Sequence, residues 1–137
     1  MAKRVLIAED EPNIVTSLEF LMRKCGFDTR VAVDGEEALS LVATFRPHLV
    51  LLDIMLPRRS GLEVCELIRA DASLSGTRVL MLTAKGGNGE VARGVQAGAD
   101  DYVTKPFSTQ DLVARVQALL ADPEMRVAPG SAPRRAP

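Results

Sequence analysis

Four short, mainly apolar runs in this chain each stop at a reactive polar group. Val5-Leu6-Ile7-Ala8 stops at Glu9-Asp10, and Leu49-Val50-Leu51-Leu52 at Asp53. Val79-Leu80-Met81-Leu82 stops at Thr83, and Tyr102-Val103-Thr104 at Lys105. Apolar runs without polar alternation are the mark of strands covered on both faces, as in a parallel sheet. Segments with the 3.6-residue period of amphipathic helices lie between them, so the chain reads as repeated strand–helix units of the α/β class. Open parallel sheets place ligands at the carboxyl ends of their strands. Acids, a hydroxyl and an amine at four such ends therefore point to one shared site.

Strands are expected near Arg4–Ala8, Thr29–Val33, His48–Leu52, Arg78–Leu82 and Asp101–Thr104. Pro12 suits a first helical position and opens a helix to about Lys24, which Gly26 ends. Asp34 with Glu37, and Ser60 with Glu63, have the form of capping boxes; the first helix stops before Pro47 and the second near Ala70. Ser108 with Asp111 is a weaker version ahead of Leu112–Leu120. A fourth helix is harder to place, because Gly86-Gly87-Asn88-Gly89 precedes it and Gly94 lies inside it. Each interior glycine costs about 1 kcal/mol against alanine, so this region is expected to have low local stability.

At 137 residues the chain suits one domain, and the loss of periodicity after Ala121 divides it into a domain over 1–121 and a disordered, proline-rich tail over 122–137. A formal charge of −1 lacks the basic excess of a nucleic-acid-binding domain, so no direct nucleic-acid partner is expected. Cys25 and Cys65 have no CxxC or metal-ligand spacing and read as buried, reduced thiols, which fits a cytoplasmic location. Only four apolar residues follow Met1-Ala2-Lys3-Arg4 before Glu9, too few for a signal peptide, and no run approaches a membrane span.

Glu9, Asp10 and Asp53 would bring three carboxylates to one sheet edge. Like charges so placed need a cation or a shared proton, and an all-oxygen site with few protein ligands suits Mg²⁺. Read alone, Glu9 and Asp10 also fit a plain helix start, where acids favour the dipole. His48, the one histidine, falls at the opposite end of its strand, against a zinc site. Lys105 decides between the readings, because its amine would reach the same edge. Acids, a divalent cation and an ammonium form surroundings suited to a phosphoryl group. Thr83 adds a hydroxyl for a phosphoryl oxygen, and Asp53 is the candidate nucleophile, since carboxylates form acyl phosphates.

These residues stand in motifs that resemble the receiver domain of bacterial two-component response regulators. The motifs are Val5-Leu6-Ile7-Ala8-Glu9-Asp10-Glu11-Pro12, Leu51-Leu52-Asp53-Ile54-Met55-Leu56-Pro57, Ser60-Gly61, Leu82-Thr83-Ala84 and Gly98-Ala99-Asp100-Asp101-Tyr102-Val103-Thr104-Lys105-Pro106-Phe107. The resemblance covers Lys3 to about Ala121 and implies a doubly wound, flavodoxin-like fold with strand order 2-1-3-4-5. It implies that Asp53 accepts a phosphoryl group, and that Glu9, Asp10, Asp53 and the backbone carbonyl of Met55 hold Mg²⁺. It further implies that Thr83 and Lys105 engage the phosphoryl group, that Tyr102 is a rotamer switch, and that Lys105-Pro106 is a cis peptide. The implied partner is a sensor histidine kinase or histidine phosphotransfer protein. From its phosphohistidine the domain would take the phosphoryl group, later hydrolysing the aspartyl phosphate itself. Output would pass to a downstream protein through the face of helix 4, strand 5 and helix 5.

Two features depart from the common pattern. Arg58-Arg59 adds positive charge beside the site, and by the resemblance Met55 with Lys85 implies a phosphoryl lifetime longer than that of fast chemotaxis-type receivers. The output has two readings, a stand-alone receiver or the receiver portion of a longer DNA-binding regulator that dimerises on phosphorylation. Asp101 and Arg115 are placed for a cross-dimer ion pair in the second, but Val91 and Gln117 stand where basic residues are usual. A third reading, an aspartyl-nucleophile phosphatase of another α/β family, expects an acid where Met55 stands.

Overall fold

The computed structural model describes residues 2–84 and 89–121. Five strands, β1 (Arg4–Ala8), β2 (Asp28–Ala32), β3 (Leu49–Asp53), β4 (Arg78–Ala84) and β5 (Asp101–Lys105), form one sheet in the order β2-β1-β3-β4-β5. All four pairings are parallel, with Val5 level with Leu49, Asp53 with Leu82, and Ala84 with Lys105. The helices are α1 (Pro12–Lys24), α2 (Gly35–Phe45), α3 (Gly61–Ala70), α4 (Glu90–Ala97) and α5 (Thr109–Leu120).

Alternate strand residues face opposite ways, and both faces are covered. Leu6, Val50, Leu52 and Met81 meet Val42 of α2 and Val64 and Ile68 of α3 on one side. On the other, Ile7, Leu51, Leu80 and Leu82 meet Leu18 and Met22 of α1 and Leu112 and Val116 of α5. Every residue of β3 is buried, which explains its lack of polar alternation.

The caps form as the side-chain chemistry dictates. Asp34 accepts the Glu37 N–H at 2.8 Å, and Glu37 in turn accepts from Val33 N–H at 2.9 Å. Ser60 and Ser108 accept from Glu63 and Asp111 N–H, each at 3.2 Å. The α5 cap therefore starts that helix at Thr109, three residues ahead of the expected Leu112. β2 begins one residue early, and β4 runs on to Ala84, so Thr83 lies inside the strand rather than beyond it. A short 3-10 turn over Ala72–Leu74, which the periodicity does not announce, leads into β4. Cys65 is buried as expected, its Sγ near Ala97 O at 3.4 Å, whereas Cys25 is only half-buried at the end of α1. The expected tail and the Gly86-Gly87-Asn88 part of the loop before α4 lie outside the described residues.

The loop after β3 is fastened by close backbone approaches. Gly61 N–H donates to Ile54 O at 3.0 Å, and Gly35 N–H to Pro57 O at 3.0 Å. A Cβ at Gly61 would fall 2.2 Å from the Asp53 carbonyl oxygen and 2.8 Å from Ile54 Cα, both backbone atoms that cannot step aside. By contrast, a Cβ at Gly76 would meet nothing within 4 Å. Gly61→Ala is expected to destabilise the fold by about 2 kcal/mol or more through overpacking. Gly76→Ala should change it by less than about 1 kcal/mol, in the stabilising direction if at all. Urea unfolding of the two variants checks the contrast.

Candidate functional site

The strand order reverses between β1 and β3: the chain leaves β1 to build β2 on one side, then returns to build β3 on the other. A crevice opens at the carboxyl ends of such a pair. Glu9 and Asp10 directly follow β1, and Asp53 ends β3, so this crevice is lined by acids. Carboxylate oxygens of the three lie within 4.8 Å of one another, with Glu9 and Asp53 buried and Asp10 exposed.

Each buried acid is held from behind by backbone. Glu9 Oε2 accepts the Glu11 N–H at 3.1 Å, and Asp53 Oδ1 accepts the Met55 N–H at 3.1 Å. Their other oxygens face Lys105, whose Nζ lies 2.8 Å from Glu9 Oε1 and 3.4 Å from Asp53 Oδ2. Apart from this ion-pair contact, Glu9 Oε1 is fully buried without an aligned hydrogen-bond donor among the described residues. Burial pushes the Glu9 carboxyl above its ordinary range; Lys105 and the Glu11 N–H draw it partly back, and Asp53 adds to the rise. Burial also works against the Lys105 ammonium, but Glu9 and Asp53 more than offset it and hold its pKa above the usual value. Three carboxylates against one ammonium leave excess negative charge, and an under-satisfied, all-oxygen donor set fits a hard divalent cation.

Of the candidates read from the sequence, Glu9, Asp10, Asp53 and Lys105 come together here. Thr83 is fully buried, its hydroxyl donating to Val103 O at 3.4 Å, and its register on β4 puts it one residue past Leu82, the neighbour of Asp53. Lys105-Pro106 is cis, as expected. Met55 is 69% exposed, at the mouth of the crevice. Tyr102 lies apart from the acids on β5, partly exposed, beside a narrow cleft lined by Met81, Thr83, Val91, Gly94 and Val95. Arg59 is tied to Glu36 at 2.9 Å and Glu63 at 3.6 Å, while Arg58 stands exposed in a left-handed backbone conformation, φ 72°. Asp101 and Arg115 pair within the chain at 2.8 Å, with Arg115 also 3.1 Å from Asp111. His48 sits at the opposite sheet edge, its Nδ1 accepting the Arg4 N–H at 2.9 Å. Lys85 lies outside the described residues.

Two contacts escaped sequence reasoning, one beside the site and one at the opposite end of the strands. Glu90 is buried and its Oε1 accepts the Ala84 N–H at 3.0 Å. Arg69 donates to Gly98 O at 2.8 Å and Thr77 O at 2.7 Å and pairs with Asp100, which also accepts the Val79 N–H at 2.8 Å. The acid pair Asp100-Asp101 was a usable signal for the second; an acid opening a helix gave none for the first.

Known proteins resemble this chain in sequence and in fold. Residues 5–117 match the family model of the response regulator receiver domain. The DNA-binding response regulator MtrA of Mycolicibacterium smegmatis is 48% identical over 120 residues, 88% of this chain and 51% of that protein. MtrA of Mycobacterium tuberculosis is 47% identical with the same coverage. The chain thus spans about half the length of the curated relatives it matches. Among solved structures, the receiver domain of a Francisella response regulator superposes with a TM-score of 0.78 at 34% identity, covering 85% of this chain and 95% of that one. The receiver domain of a Pseudomonas aeruginosa sensor histidine kinase, with a magnesium ion coordinated in its active-site cleft, gives 0.78 at 29% identity, covering 85% and 96%. The chain belongs to the family of response regulator receiver domains.

Proposed function

We propose that Asp53 accepts a phosphoryl group from a phosphohistidine on a sensor histidine kinase or histidine phosphotransfer protein. The carrying observation is the Asp53 carboxylate itself, buried at a strand end with one oxygen held by the Met55 N–H and the other facing the Lys105 ammonium. An Asp53 oxygen attacks phosphorus, the phosphorus–nitrogen bond breaks, and the donor imidazole leaves with its electron pair. Water later attacks the aspartyl phosphate, regenerating the carboxylate and releasing inorganic phosphate. Lys105 and Thr83 supply an ammonium and a hydroxyl to the phosphoryl oxygens, stabilising charge as it develops. Glu9, Asp10, Asp53 and the Met55 carbonyl would hold Mg²⁺, which when bound neutralises the negative charge shared by acids and phosphoryl group.

The domain then signals by a shift of population. Phosphorylation adds about −1.5 to −2 charges, drawing Thr83 and Lys105 toward the new oxygens. Thr83 and Tyr102 line one cleft, so movement of the first opens space for the second to turn inward. The face of α4, β5 and α5 changes in consequence, and a downstream protein reads it. A second reading, the receiver portion of a longer DNA-binding regulator, is favoured by the similarity to MtrA proteins about twice as long. In that case the same face pairs two copies, and Arg115 must exchange its contacts within the chain for contacts across the dimer. No helix among the described residues is long and apolar enough to cross a membrane; a cytoplasmic location belongs to the same reading through the family match. The domain is taken to end near Ala121, since the family match stops at residue 117.

Acetyl phosphate with Mg²⁺ should add one phosphoryl group to the protein by intact mass, and Asp53→Asn should abolish the adduct. A wild-type protein that gains no mass would end this reading. Size exclusion of the activated protein separates the two outputs, a dimer supporting the longer regulator and a persistent monomer the stand-alone receiver.

The raised Glu9 carboxyl carries a pH signature. Because the folded protein binds this proton more readily than the unfolded chain, stability falls as pH rises from about 4.5 through the folded-state value, and the loss is complete above it. In metal-free buffer, Glu9→Gln should flatten that part of the pH–stability curve and raise the thermal midpoint at neutral pH. Mg²⁺ should raise the wild-type midpoint by mass action and leave the variant nearly unchanged. Thermal unfolding across pH, with and without Mg²⁺, measures both effects.

A further inference from the structure

The first turn of α4 is anchored by a side chain that the phosphoryl chemistry above does not use. α4 enters through Gly89, at φ 73°, and has no side-chain cap. Its first residue, Glu90, instead turns back to the sheet, where its buried carboxylate accepts the Ala84 N–H at 3.0 Å. A carboxylate is favoured at a helix N-terminus, and a buried carboxylate needs a donor, which the N–H of exposed Ala84 at the end of β4 supplies. One contact meets both demands.

The direction of that N–H follows from the sheet. In a parallel strand, successive residues present their backbone groups to alternate neighbours. Arg78 N–H donates to His48 O at 2.9 Å, and Leu82 O accepts from Ile54 N–H at 3.1 Å, so the even-numbered residues of β4 face β3. Val79 O accepts from Asp100 N–H at 2.9 Å, so the odd-numbered ones face β5. Ala84 is even-numbered and two residues past Leu82, the register partner of Asp53. Its N–H is therefore directed to the β3 side, toward the space just beyond Asp53.

We propose that Glu90 is a positioning residue that occupies the Ala84 N–H in the unphosphorylated protein, and that a phosphoryl group on Asp53 takes this donor over and releases the first turn of α4. The inference rests on Asp53 being the acceptor. One N–H cannot fully serve two anionic acceptors, and a phosphoryl group of about −1.5 to −2 charges repels a carboxylate beside it. No covalent bond changes at Glu90; a donor changes its acceptor. By linkage the effect is reciprocal, so whatever frees the Ala84 N–H favours the phosphorylated form.

The test titrates beryllofluoride, a tetrahedral stand-in for the phosphoryl group, with Mg²⁺ into the full chain. Glu90→Ala is expected to bind it about tenfold more tightly than wild type, the weight of roughly one hydrogen bond to a charged group. Its thermal midpoint without beryllofluoride should fall. Glu90→Gln, which keeps an acceptor oxygen but loses the charge, should lie between. In wild type, which needs no variant to fold, beryllofluoride should shift the Ala84 amide resonance and speed exchange of the Arg93 N–H, held by Gly89 O at 2.9 Å in the first turn. A purely structural Glu90 would lower stability with affinity unchanged or weaker, and an unshifted Ala84 resonance would say the same; either result overturns the proposal. If wild type fails to bind beryllofluoride, or Asp53→Asn binds it equally, the fault lies with Asp53 as acceptor. Selective binding by wild type with no gain in Glu90→Ala places the fault with Glu90 alone.

Discussion

Three carboxylates within 4.8 Å of one another, with one ammonium against two of them, set the electrostatic condition under which this domain must fold. The parallel register of β1 with β3 fixes their proximity. Two of the acids are buried, where charge repulsion is weakly screened and desolvation is costly. Lys105 arrives from the far end of the chain, on β5, two strands away from β3. Its contacts at 2.8 and 3.4 Å make the last strand a counterweight to the first and third. Closing the sheet and neutralising the crevice are thus one event, which ties the integrity of the site to completion of the fold.

Much of this was legible in the sequence because the signals are local. The expected strand positions match all five observed strands to within two residues, most plainly where the run is apolar throughout, and Pro12 with Gly26 bounded α1 correctly. Asp34 and Ser60 announced α2 and α3 by a hydrogen bond that spans only three residues. The site was legible for a related reason: a parallel sheet brings its strand ends to one edge, so residue type at strand ends is enough to assemble a candidate. What stayed hidden depends on register and loop geometry. The direct Lys105–Glu9 pair, the reach of Glu90 back to Ala84, and the three-way grip of Arg69 all join residues whose meeting no short-range pattern encodes. Asp101 and Arg115 pair within the chain although their placement also fits a contact between chains.

The two ends of the sheet are built to different standards of rigidity. At the amino edge, His48 accepts from Arg4, and Arg69 fastens α3 to Thr77 and to the Gly98 carbonyl before β5. At the carboxyl edge, α4 begins without a cap of its own, carries an internal glycine, and is only eight residues long. Isolated helices of that length are marginal and rely on tertiary contacts. α4 therefore depends on contacts such as that of Glu90 with Ala84, while Arg69 and His48 fasten the opposite edge. Stability is thereby spread unevenly along the molecule, with its low end next to the candidate chemistry.

The sheet also divides the interior into two compartments that share strands but few side chains. Residues such as Val42 and Val64 on one side and Leu18 and Val116 on the other have no packing partners in common across the backbone layer. Substitutions in separate compartments should combine nearly additively, since coupling between sites without shared partners is small. Sequence drift beneath α2 and α3 can then proceed without retuning the layer beneath α1 and α5. A lineage built on this plan is free to remodel one flank of the molecule for new recognition while the other retains its packing.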